Sequence, residues 1–416
     1  MKYQITGGKK LAGTVPISGN KNAVFPCVAA ALLTEEEVVL ENISNLKDTE
    51  VLIKILKKLG VNAEKTGTLL KIKTPQIRHI TLPQELMTKL RGSIVLVGSI
   101  LSRVGKVIFY HPGGDIIGRR SIDTHLEGFK LLGASIKKDD VKYTLSLESK
   151  SGEVSIFLTE ASVTATENLI LASVLGKKLV LLRNCAKEPH IVDLCRMLTQ
   201  MGAKIEGVGS DSLKITGVEK LSGTKYRIGI DFIEVGTYAV AAAITGGKIK
   251  IDEIDATDLE PILFALKEFG VNYEINKGIT FWANRLKSPK KLTTNIWPGF
   301  PTDLMSVAIV LATQSKGVML CHDWMYESRM FFVDKLISMG ANITLADPHR
   351  VFIYGPTKLK GRNLETPDIR AGMALVLAAL VAKGKSTINQ AELIERGYED
   401  VLGKLRSLGA EIERSD

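Results

Sequence analysis

Amphipathic helical segments recur along the chain, and each is followed by glycine and a short strand-like run. In the first, apolar side chains at 51–59 have helical spacing and Gly60 follows directly. Glycine commonly ends a helix because it adopts the left-handed conformation without steric cost. The corresponding glycines are Gly60, Gly133, Gly202, Gly270, Gly340 and Gly409. Their regular spacing predicts an internal repeat of about 70 residues.

A second, more apolar helical segment precedes each amphipathic one. These segments are rich in Ala, Val and Leu and almost free of charge, which predicts helices that are buried on most sides. They lie at 23–33, 93–101, 169–175, 235–244, 304–311 and 372–381. A polar break and a predicted strand follow each of them, at 37–40, 106–109, 179–182, 248–251, 318–320 and 387–388.

A longer echo groups the repeats into two halves. The phrase Leu-Ala-Gly-Thr at 11–14 returns as Leu-Ser-Gly-Thr at 221–224, a distance of three repeats. We therefore predict an α/β protein of two similar domains with three repeats each. The first strand could still pack with the second half, because chain ends often meet.

Composition narrows the class of protein. The chain of 416 residues is 45% hydrophobic but only 6% aromatic, so its cores should be mainly aliphatic. The net charge of +10 favours acidic partners, but no basic block with interleaved aromatics indicates nucleic-acid binding. No signal peptide, membrane-spanning run, disulfide framework or metal-ligand spacing is evident, so we expect a reduced, cytoplasmic protein.

Polar residues cluster just before the buried helices. Lys21, Arg91 and Arg370 are unusual there, because a helix N-terminus is already positive. A bound anion between helix end and cation would explain them, whereas simple capping would explain only the Asn, Asp and Thr residues. The clusters contain Asn20, Lys21, Asn22, Lys89, Arg91, Thr166, Glu167, Asn168, Asp231, Glu234, Thr302, Asp303, Asp368 and Arg370.

Other arginines fit the same interpretation. Arg120, Arg329 and Arg396 lie outside regular hydrophobic patterns. Arg396 could instead form an exposed ion pair with Glu399 on a helix, although Gly397 favours a loop.

The segment 111–123 combines three glycines, two adjacent arginines and two aspartates. It has no hydrophobic period, so we predict a loop between a strand at 107–110 and a helix that begins near Ser121. A lid over an anionic ligand and a surface hairpin with solvated charges both remain open for this loop.

These residues together resemble the enolpyruvyl transferases from end to end. The resemblance is carried by the phrases at 17–23, 112–118, 165–168, 188–189, 233–237, 300–303, 368–371 and 396–399. It implies two inside-out α/β barrel domains with the active site between them. The first domain would contain 1–20 and 228–416, and the second 21–227 with the lid loop 111–123.

The resemblance also implies a reaction. The enolpyruvyl group of phosphoenolpyruvate would pass to the 3-hydroxyl of UDP-N-acetylglucosamine with release of phosphate, the first committed step of peptidoglycan biosynthesis. Neither a metal nor an organic cofactor is implied, and the expected partners are the two substrates.

By the same resemblance, individual residues acquire expected roles. The catalytic residues would be Asp115, Lys21, Asp303 and Arg396. Phosphoenolpyruvate would bind Lys21, Asn22, Arg120, Arg329, Arg370 and Arg396, with Arg329 and Arg370 on its carboxylate. UDP-N-acetylglucosamine would bind Arg91, Arg120, Ser121, Ile122, Asp123, Thr124, Ser162, Val163, Asp303 and Met325.

Several positions depart from the family pattern. Most members have cysteine in place of Asp115, and that cysteine is a general acid that fosfomycin alkylates. Aspartate can also donate a proton, although the ordinary pKa of an aspartic acid, about 3.9, must rise for this near neutral pH. We therefore expect an active enzyme that fosfomycin does not inactivate.

Changes near the acceptor keep other functions open. Glu160, Thr164 and Phe232 replace residue types common in the family. Enolpyruvyl transfer to another nucleotide acceptor such as UMP is one alternative, and a non-catalytic nucleotide-sugar-binding paralogue is another. Retention of Lys21, Asp303, Arg370 and Arg396 argues against the second.

Overall fold

The computed structural model describes residues 1–115, 117–148, 151–252 and 254–415. The chain divides into two compact units. The first comprises Met1–Ser18, Asp115–Arg120 and Ile230–Asp416, and the second Gly19–Gly114 and Ser121–Gly229. Ile116 of the predicted lid loop lies outside the described residues, as do Ser149, Lys150, Glu253 and Asp416 of the predicted domains.

The helices follow the predicted alternation of buried and amphipathic segments. The α-helices of the described residues are α1 (Lys21–Ala30), α2 (Lys47–Lys58), α3 (Gln84–Met87), α4 (Leu96–Val104), α5 (Asp123–Leu131), α6 (Val163–Ser173), α7 (Pro189–Gln200), α8 (Phe232–Thr245), α9 (Glu260–Glu268), α10 (Met305–Thr313), α11 (Val333–Ser338), α12 (Ile369–Val381) and α13 (Val401–Ser407). Short 3₁₀ helices occupy Ala31–Leu33, Arg91–Val95, Thr257–Leu259, Thr302–Leu304 and Ala391–Arg396.

The six helix-terminating glycines are confirmed. Each lies just beyond α2, α5, α7, α9, α11 or α13, with φ between 82° and 103°. A side chain at these positions would be strained, because Cβ approaches the backbone in the left-handed region. The regular spacing of these glycines in the sequence therefore reflects a left-handed backbone conformation that recurs in every repeat.

The strands lie between the helices. They are β1 (Lys2–Thr6), β2 (Ala12–Thr14), β3 (Glu37–Glu41), β4 (Asn62–Thr66), β5 (Leu69–Lys73), β6 (Lys106–Tyr110), β7 (Ala134–Asp139), β8 (Lys142–Leu147), β9 (Ser151–Phe157), β10 (Lys177–Arg183), β11 (Lys204–Glu206), β12 (Ser212–Thr216), β13 (Thr224–Arg227), β14 (Lys248–Asp252), β15 (Val271–Ile275), β16 (Gly278–Ala283), β17 (Lys291–Thr293), β18 (Gly317–His322), β19 (Ile343–Asp347), β20 (Arg350–Gly355), β21 (Asn363–Glu365), β22 (Lys385–Asn389) and β23 (Glu411–Ser415).

Within the described residues these strands form six sheets that share one strand order. Five of them consist, in order, of a parallel edge strand, the strand after a buried helix, an antiparallel neighbour and the strand after a cap glycine, and the sixth has the last three of these. The orders are β13-β3-β5-β4, β9-β10-β12-β11, β2-β14-β16-β15, β17-β18-β20-β19, β21-β22-β1-β23 and β6-β8-β7. In the last sheet, a single parallel bridge between Thr81 and Ile108 takes the place of the edge strand.

The first strand completes the last sheet. β1 lies antiparallel between β22 and β23, with Tyr3 opposite Ile388 and Ile5 opposite Ile412. This confirms the expectation that the chain start packs with the second half.

Each unit has its own aliphatic core, centred on three buried helices. In the first unit α8, α10 and α12 contact one another, and in the second α1, α4 and α6 do so. Every residue of α10 is buried, as its lack of charge predicts. With helices inside and sheets around them, both units have the expected inside-out α/β arrangement.

Two further expectations concern the environment of the chain. The longest described helix, α8, has 14 residues, a rise of about 21 Å that falls short of the apolar thickness of a bilayer. Accordingly, no described helix could cross a membrane. The four cysteines, Cys27, Cys185, Cys195 and Cys321, are buried and free.

Candidate functional site

In the first unit, Asp303 lies between two buried arginines. It belongs to the short 3₁₀ helix that leads into α10. Nη2 of Arg329 donates to Oδ1 at 3.0 Å, while Nη2 and Nε of Arg370 donate to Oδ2 at 2.9 and 3.0 Å. The Asp303 side chain is 29% exposed, against 2% and 7% for the arginines. The Asp303 carboxylate is thus accessible to solvent, whereas the two arginines that bind it are buried.

The two arginines retain hydrogen-bonding capacity. Within the part of the chain that is described, Nε of Arg329 and Nη1 of Arg370 are buried and have no hydrogen-bond partner. A buried donor without a partner is unfavourable, and guanidinium groups match carboxylates in geometry. The pair therefore offers donors that suit a carboxylate ligand.

Electrostatics keep Arg370 charged. Burial alone would lower the pKa of its guanidinium, but attraction to Asp303, Tyr398 and Asp231 raises the pKa above its ordinary value. The cation therefore persists although solvent is excluded.

Two tyrosines lie against these arginines, and the sequence interpretation missed both. Tyr326 lies under the guanidinium carbons of Arg329 at 5.2 Å and Arg120 at 5.9 Å from its ring centre. Tyr398 lies 5.1 Å from that of Arg370. Burial raises the pKa of both phenols, so they remain neutral and provide cation–π contacts.

Arg396 pairs with Asp115, the expected general acid. Nη1 of Arg396 donates to Oδ1 of Asp115 at 3.0 Å, and each side chain is 20% exposed. Arg396 is the last residue of the 3₁₀ helix Ala391–Arg396. Arg396 thus does not lie in a helix interior, as Gly397 predicted, although it closes a 3₁₀ turn instead of lying in an open loop.

The residues after Asp115 are hydrogen-bonded to Glu327 and Ser328, which belong to the same unit. Ser328 N donates to Ile117 O at 3.0 Å, and Arg119 N donates to Oε2 of Glu327 at 3.3 Å. A Cβ on Gly118, whose φ is 155°, would lie 2.2 Å from that same Glu327 oxygen. Glycine at this position permits the close approach.

Arg120 ends this stretch in a left-handed conformation, with φ of 43°. Such a conformation is uncommon for a non-glycine residue and is often found at functional sites. The helix that follows, α5, begins at Asp123, two residues beyond Ser121, near which its start was predicted.

In the second unit, Lys21 opens α1 and pairs with Asp48. Nζ of Lys21 lies 2.7 Å from Oδ2 of Asp48, with side chains 11% and 5% exposed. Asn20 caps the helix by accepting from Asn22 N at 2.9 Å. Asp48 was not singled out from the sequence, because nothing near 48 distinguishes it from an ordinary helix-start carboxylate.

Arg91 connects the two flanks of the predicted lid within the second unit. Its Nη2 donates to Ser121 O at 3.0 Å and its Nη1 to Pro112 O at 3.5 Å. Ser121 in turn donates from its hydroxyl to Asp123, whose backbone N–H donates back at 3.0 Å. Arg91, Ser121 and Asp123, all expected to contact the nucleotide sugar, are thus neighbours.

A second set of expected contacts lies at the start of α6. Ser162 caps the helix by accepting from Ala165 N at 3.4 Å, and Val163 is its first residue. Thr124 at the start of α5 reaches this region through a 3.2 Å hydrogen bond to Thr159. Ile122 beside it is buried.

Met325 is placed near Asp303 by a shared carboxylate. Asp323 accepts from Met325 N at 3.0 Å and also from the hydroxyl of Thr302, the neighbour of Asp303. A third donor, the hydroxyl of Thr294, lies 3.2 Å away.

The unusual residues have definite surroundings. Phe232, the first residue of α8, is buried with its ring centre 5.3 Å from that of Trp297. Glu160 accepts from Ser162 N through its backbone oxygen at 2.7 Å. Thr164 bonds to His125 at 3.0 Å.

The structure therefore groups the expected site residues by unit. The first unit carries Asp115, Arg120, Asp303, Met325, Arg329, Arg370 and Arg396. The second carries Lys21, Asn22, Arg91, Ser121, Ile122, Asp123, Thr124, Ser162 and Val163.

Comparison with known proteins adds an independent line of evidence. The family described as EPSP synthase (3-phosphoshikimate 1-carboxyvinyltransferase) matches residues 5–405. The UDP-N-acetylglucosamine 1-carboxyvinyltransferase of Borreliella burgdorferi is 46% identical, over 99% of this chain and 98% of the relative. The protein of the same name from Treponema denticola is 44% identical, over 99% of each chain.

Solved structures show the same fold. The enolpyruvyl transferase NikO from Streptomyces tendae superimposes with a TM-score of 0.90 at 23% identity, over 99% of this chain and 98% of NikO. An EPSP synthase from Acinetobacter baumannii gives 0.78 at 17% identity, over the whole of both chains.

Proposed function

Because the chain belongs to the family of EPSP synthase and related enolpyruvyl transferases, we propose that it transfers the enolpyruvyl group of phosphoenolpyruvate to the 3-hydroxyl of UDP-N-acetylglucosamine. Phosphate is released. The choice of UDP-N-acetylglucosamine as acceptor rests on the 46% and 44% identity, over nearly full length, to enzymes named UDP-N-acetylglucosamine 1-carboxyvinyltransferase. The NikO and EPSP synthase structures, at 23% and 17% identity, support the fold alone.

Phosphoenolpyruvate binds through its two anionic groups. Its carboxylate takes the unpaired donors of Arg329 and Arg370, and its phosphate takes Lys21, Arg120 and Arg396, with Asn22 beside Lys21. Several charge-assisted hydrogen bonds are needed, because both groups lose water on binding.

The acceptor sugar nucleotide is held by residues of both expected sets. Arg91, the segment 121–124, Ser162 and Val163 of the second unit bind it, together with Arg120, Asp303 and Met325 of the first. We propose that Asp303 accepts the proton of the sugar 3-hydroxyl, because its carboxylate is partly exposed while its arginine partners are buried.

Asp115 supplies the proton that makes phosphoenolpyruvate electrophilic. Proton transfer to C3 leaves C2 open to attack by the 3-hydroxyl oxygen, which forms a tetrahedral adduct. Loss of a C3 proton and of phosphate then gives the enolpyruvyl ether. The substrate phosphate replaces the Asp115 carboxylate at Arg396 before this step, which favours the protonated acid.

The product places the enzyme at the first committed step of peptidoglycan biosynthesis, for which we propose a cytoplasmic location. The test is phosphate release from phosphoenolpyruvate by the purified protein. UDP-N-acetylglucosamine should support release and UMP should not. No release with UDP-N-acetylglucosamine, or release with UMP alone, would overturn the assignment.

The presence of aspartate at position 115 predicts how the enzyme responds to fosfomycin. Asp115→Cys should remain active and become inactivated by stoichiometric fosfomycin, because a thiolate is alkylated far more readily than a carboxylate. The wild type should keep its activity in the same incubation. Inactivation of the wild type at that stoichiometry would contradict the proposed role, and Asp115→Asn serves as the control that cannot donate a proton.

A further inference from the structure

His125 is buried between the helices that carry the expected nucleotide-sugar contacts of the second unit. Its side chain is 2% exposed, and both ring nitrogens have partners. Nδ1 lies 2.9 Å from Nδ2 of Asn168, and Nε2 lies 3.0 Å from Oγ1 of Thr164. His125 thus bridges two residues of α6 from its position on α5.

The direction of these hydrogen bonds follows from Asn168. Its Oδ1 accepts from Gly98 N at 2.7 Å, and its Nδ2 donates to Ile94 O at 2.9 Å. The reversed amide would place two donors together at Gly98, so the orientation is determined. Nδ2 can only donate, and Nδ1 of His125 must therefore accept.

The imidazole is consequently a neutral ring with its proton on Nε2. Burial, together with the nearby positive charge of Arg91, lowers the pKa of His125 to about 3. The Nε2 proton is directed to the hydroxyl oxygen of Thr164. The whole chain of hydrogen bonds is uncharged.

This chain connects three segments that are expected to contact the acceptor. Ile94 lies in the 3₁₀ helix that Arg91 begins. His125 follows Thr124 on α5, and Thr164 follows Val163 on α6. We propose that Thr164 and His125 are positioning residues that hold these segments in the geometry required by the nucleotide sugar. This inference rests on the proposed function.

The decisive variant is Thr164→Val, which keeps the shape of the side chain and removes the acceptor for the Nε2 proton. The Kd for UDP and the KM for UDP-N-acetylglucosamine should each rise about tenfold, because a buried donor is left unpaired. The KM for phosphoenolpyruvate and kcat should stay within about twofold. Thr164→Ser should restore wild-type values.

The matched control is Ser173→Ala on the same helix. Ser173 is buried, and its hydroxyl donates to Leu169 O at 2.6 Å within α6. Its loss tests whether any buried hydroxyl of α6 affects the site, and no change in UDP binding is expected. Equal effects of the two variants, an equal rise in both KM values, or failure of serine to rescue would overturn the proposal.

A second measurement does not depend on the variants. Nitrogen-15 resonances of His125 in the wild type should show a protonated Nε2 and a bare Nδ1 between pH 5 and 8, and the opposite tautomer would overturn the proposal. UDP binding by calorimetry requires no turnover. If the wild type releases no phosphate but Thr164→Val still binds UDP more weakly, the proposed reaction would be overturned and the positioning role would be supported.

Discussion

The two units hold their candidate site residues by different forces. In the first, the carboxylates of Asp303 and Asp115 pair with three arginines. In the second, the expected nucleotide-sugar segments are connected through His125 and neutral partners, and the ion pair of Lys21 lies on a different helix.

The difference indicates how each unit meets its ligand. At Arg396 the Asp115 carboxylate occupies a donor that an anionic substrate requires, so substrate binding there exchanges one anion for another, whereas Arg329 and Arg370 keep Asp303 and offer their remaining donors. Such an arrangement responds strongly to changes of charge. A neutral network has no anion to exchange and responds to the loss of a single donor or acceptor.

The largest effect is expected from Asp303→Asn. Asparagine is nearly isosteric but accepts no proton, so kcat for phosphate release should fall about a thousandfold. Asp347→Asn is the control, because Asp347 pairs with Arg350 at the exposed surface. A loss of less than tenfold would show that Asp303 is not the base.

Next in size is Arg370→Lys. Lysine keeps the charge but cannot donate through two nitrogens to Asp303 and a third to the substrate, so the KM for phosphoenolpyruvate should rise about a hundredfold. The KM for UDP-N-acetylglucosamine should change little. Steady-state kinetics with each substrate varied in turn decides this, with Arg350→Lys as the matched control; an equal rise in both KM values would contradict the division between the units.

The neutral state of His125 should make the free energy of unfolding depend on pH. The pKa of His125 is about 3 in the folded protein and near 6.5 when unfolded, so the unfolded chain binds one more proton between these values. Below pH 6.5, each unit by which the pH decreases therefore lowers the contribution of His125 to the free energy of unfolding by about 1.4 kcal/mol.

Comparison with His125→Gln isolates this contribution, because glutamine does not titrate. In urea unfolding, the wild type should lose about 2 kcal/mol relative to the variant between pH 7 and pH 5. Parallel curves for the two proteins would mean that His125 has the same pKa in the folded and unfolded states, which would contradict its burial as a neutral ring.

The smallest effect should come from Tyr326→Leu. The change removes the aromatic face beneath Arg120 and Arg329, and the KM for phosphoenolpyruvate should rise about fivefold. Tyr326→Phe keeps the face and should behave as the wild type in the same assay. A similar loss in the phenylalanine variant would assign the effect to the hydroxyl instead.

Local patterns allowed the fold to be predicted from the sequence. The cap glycines and the uncharged helices are short-range signals, and even the pairing of β1 with the second half was anticipated. The partners of the site residues were not, because Asp303 is 26 and 67 residues from its arginines and Asp115 is 281 residues from Arg396. A pairing at that separation leaves no periodic trace.

Some missed residues carried a faint signal. Tyr326 follows Met325, a predicted contact, but one aromatic in a loop does not reveal a cation above its ring. Thr164 was noted only as a departure from the family pattern, and its hydrogen bond to His125 depends on the packing of α5 against α6.

The place of β1 has a consequence for how the protein is made. Its two neighbours, β22 and β23, follow it by more than 370 residues in the chain, so the sheet they share cannot assemble until both have left the ribosome. Most of the second unit is continuous in sequence and can fold while the rest is still being translated. β1 therefore waits without these neighbours while the intervening residues are synthesised, and a nascent chain stalled before residue 385 would lack the strands that bury Tyr3 and Ile5.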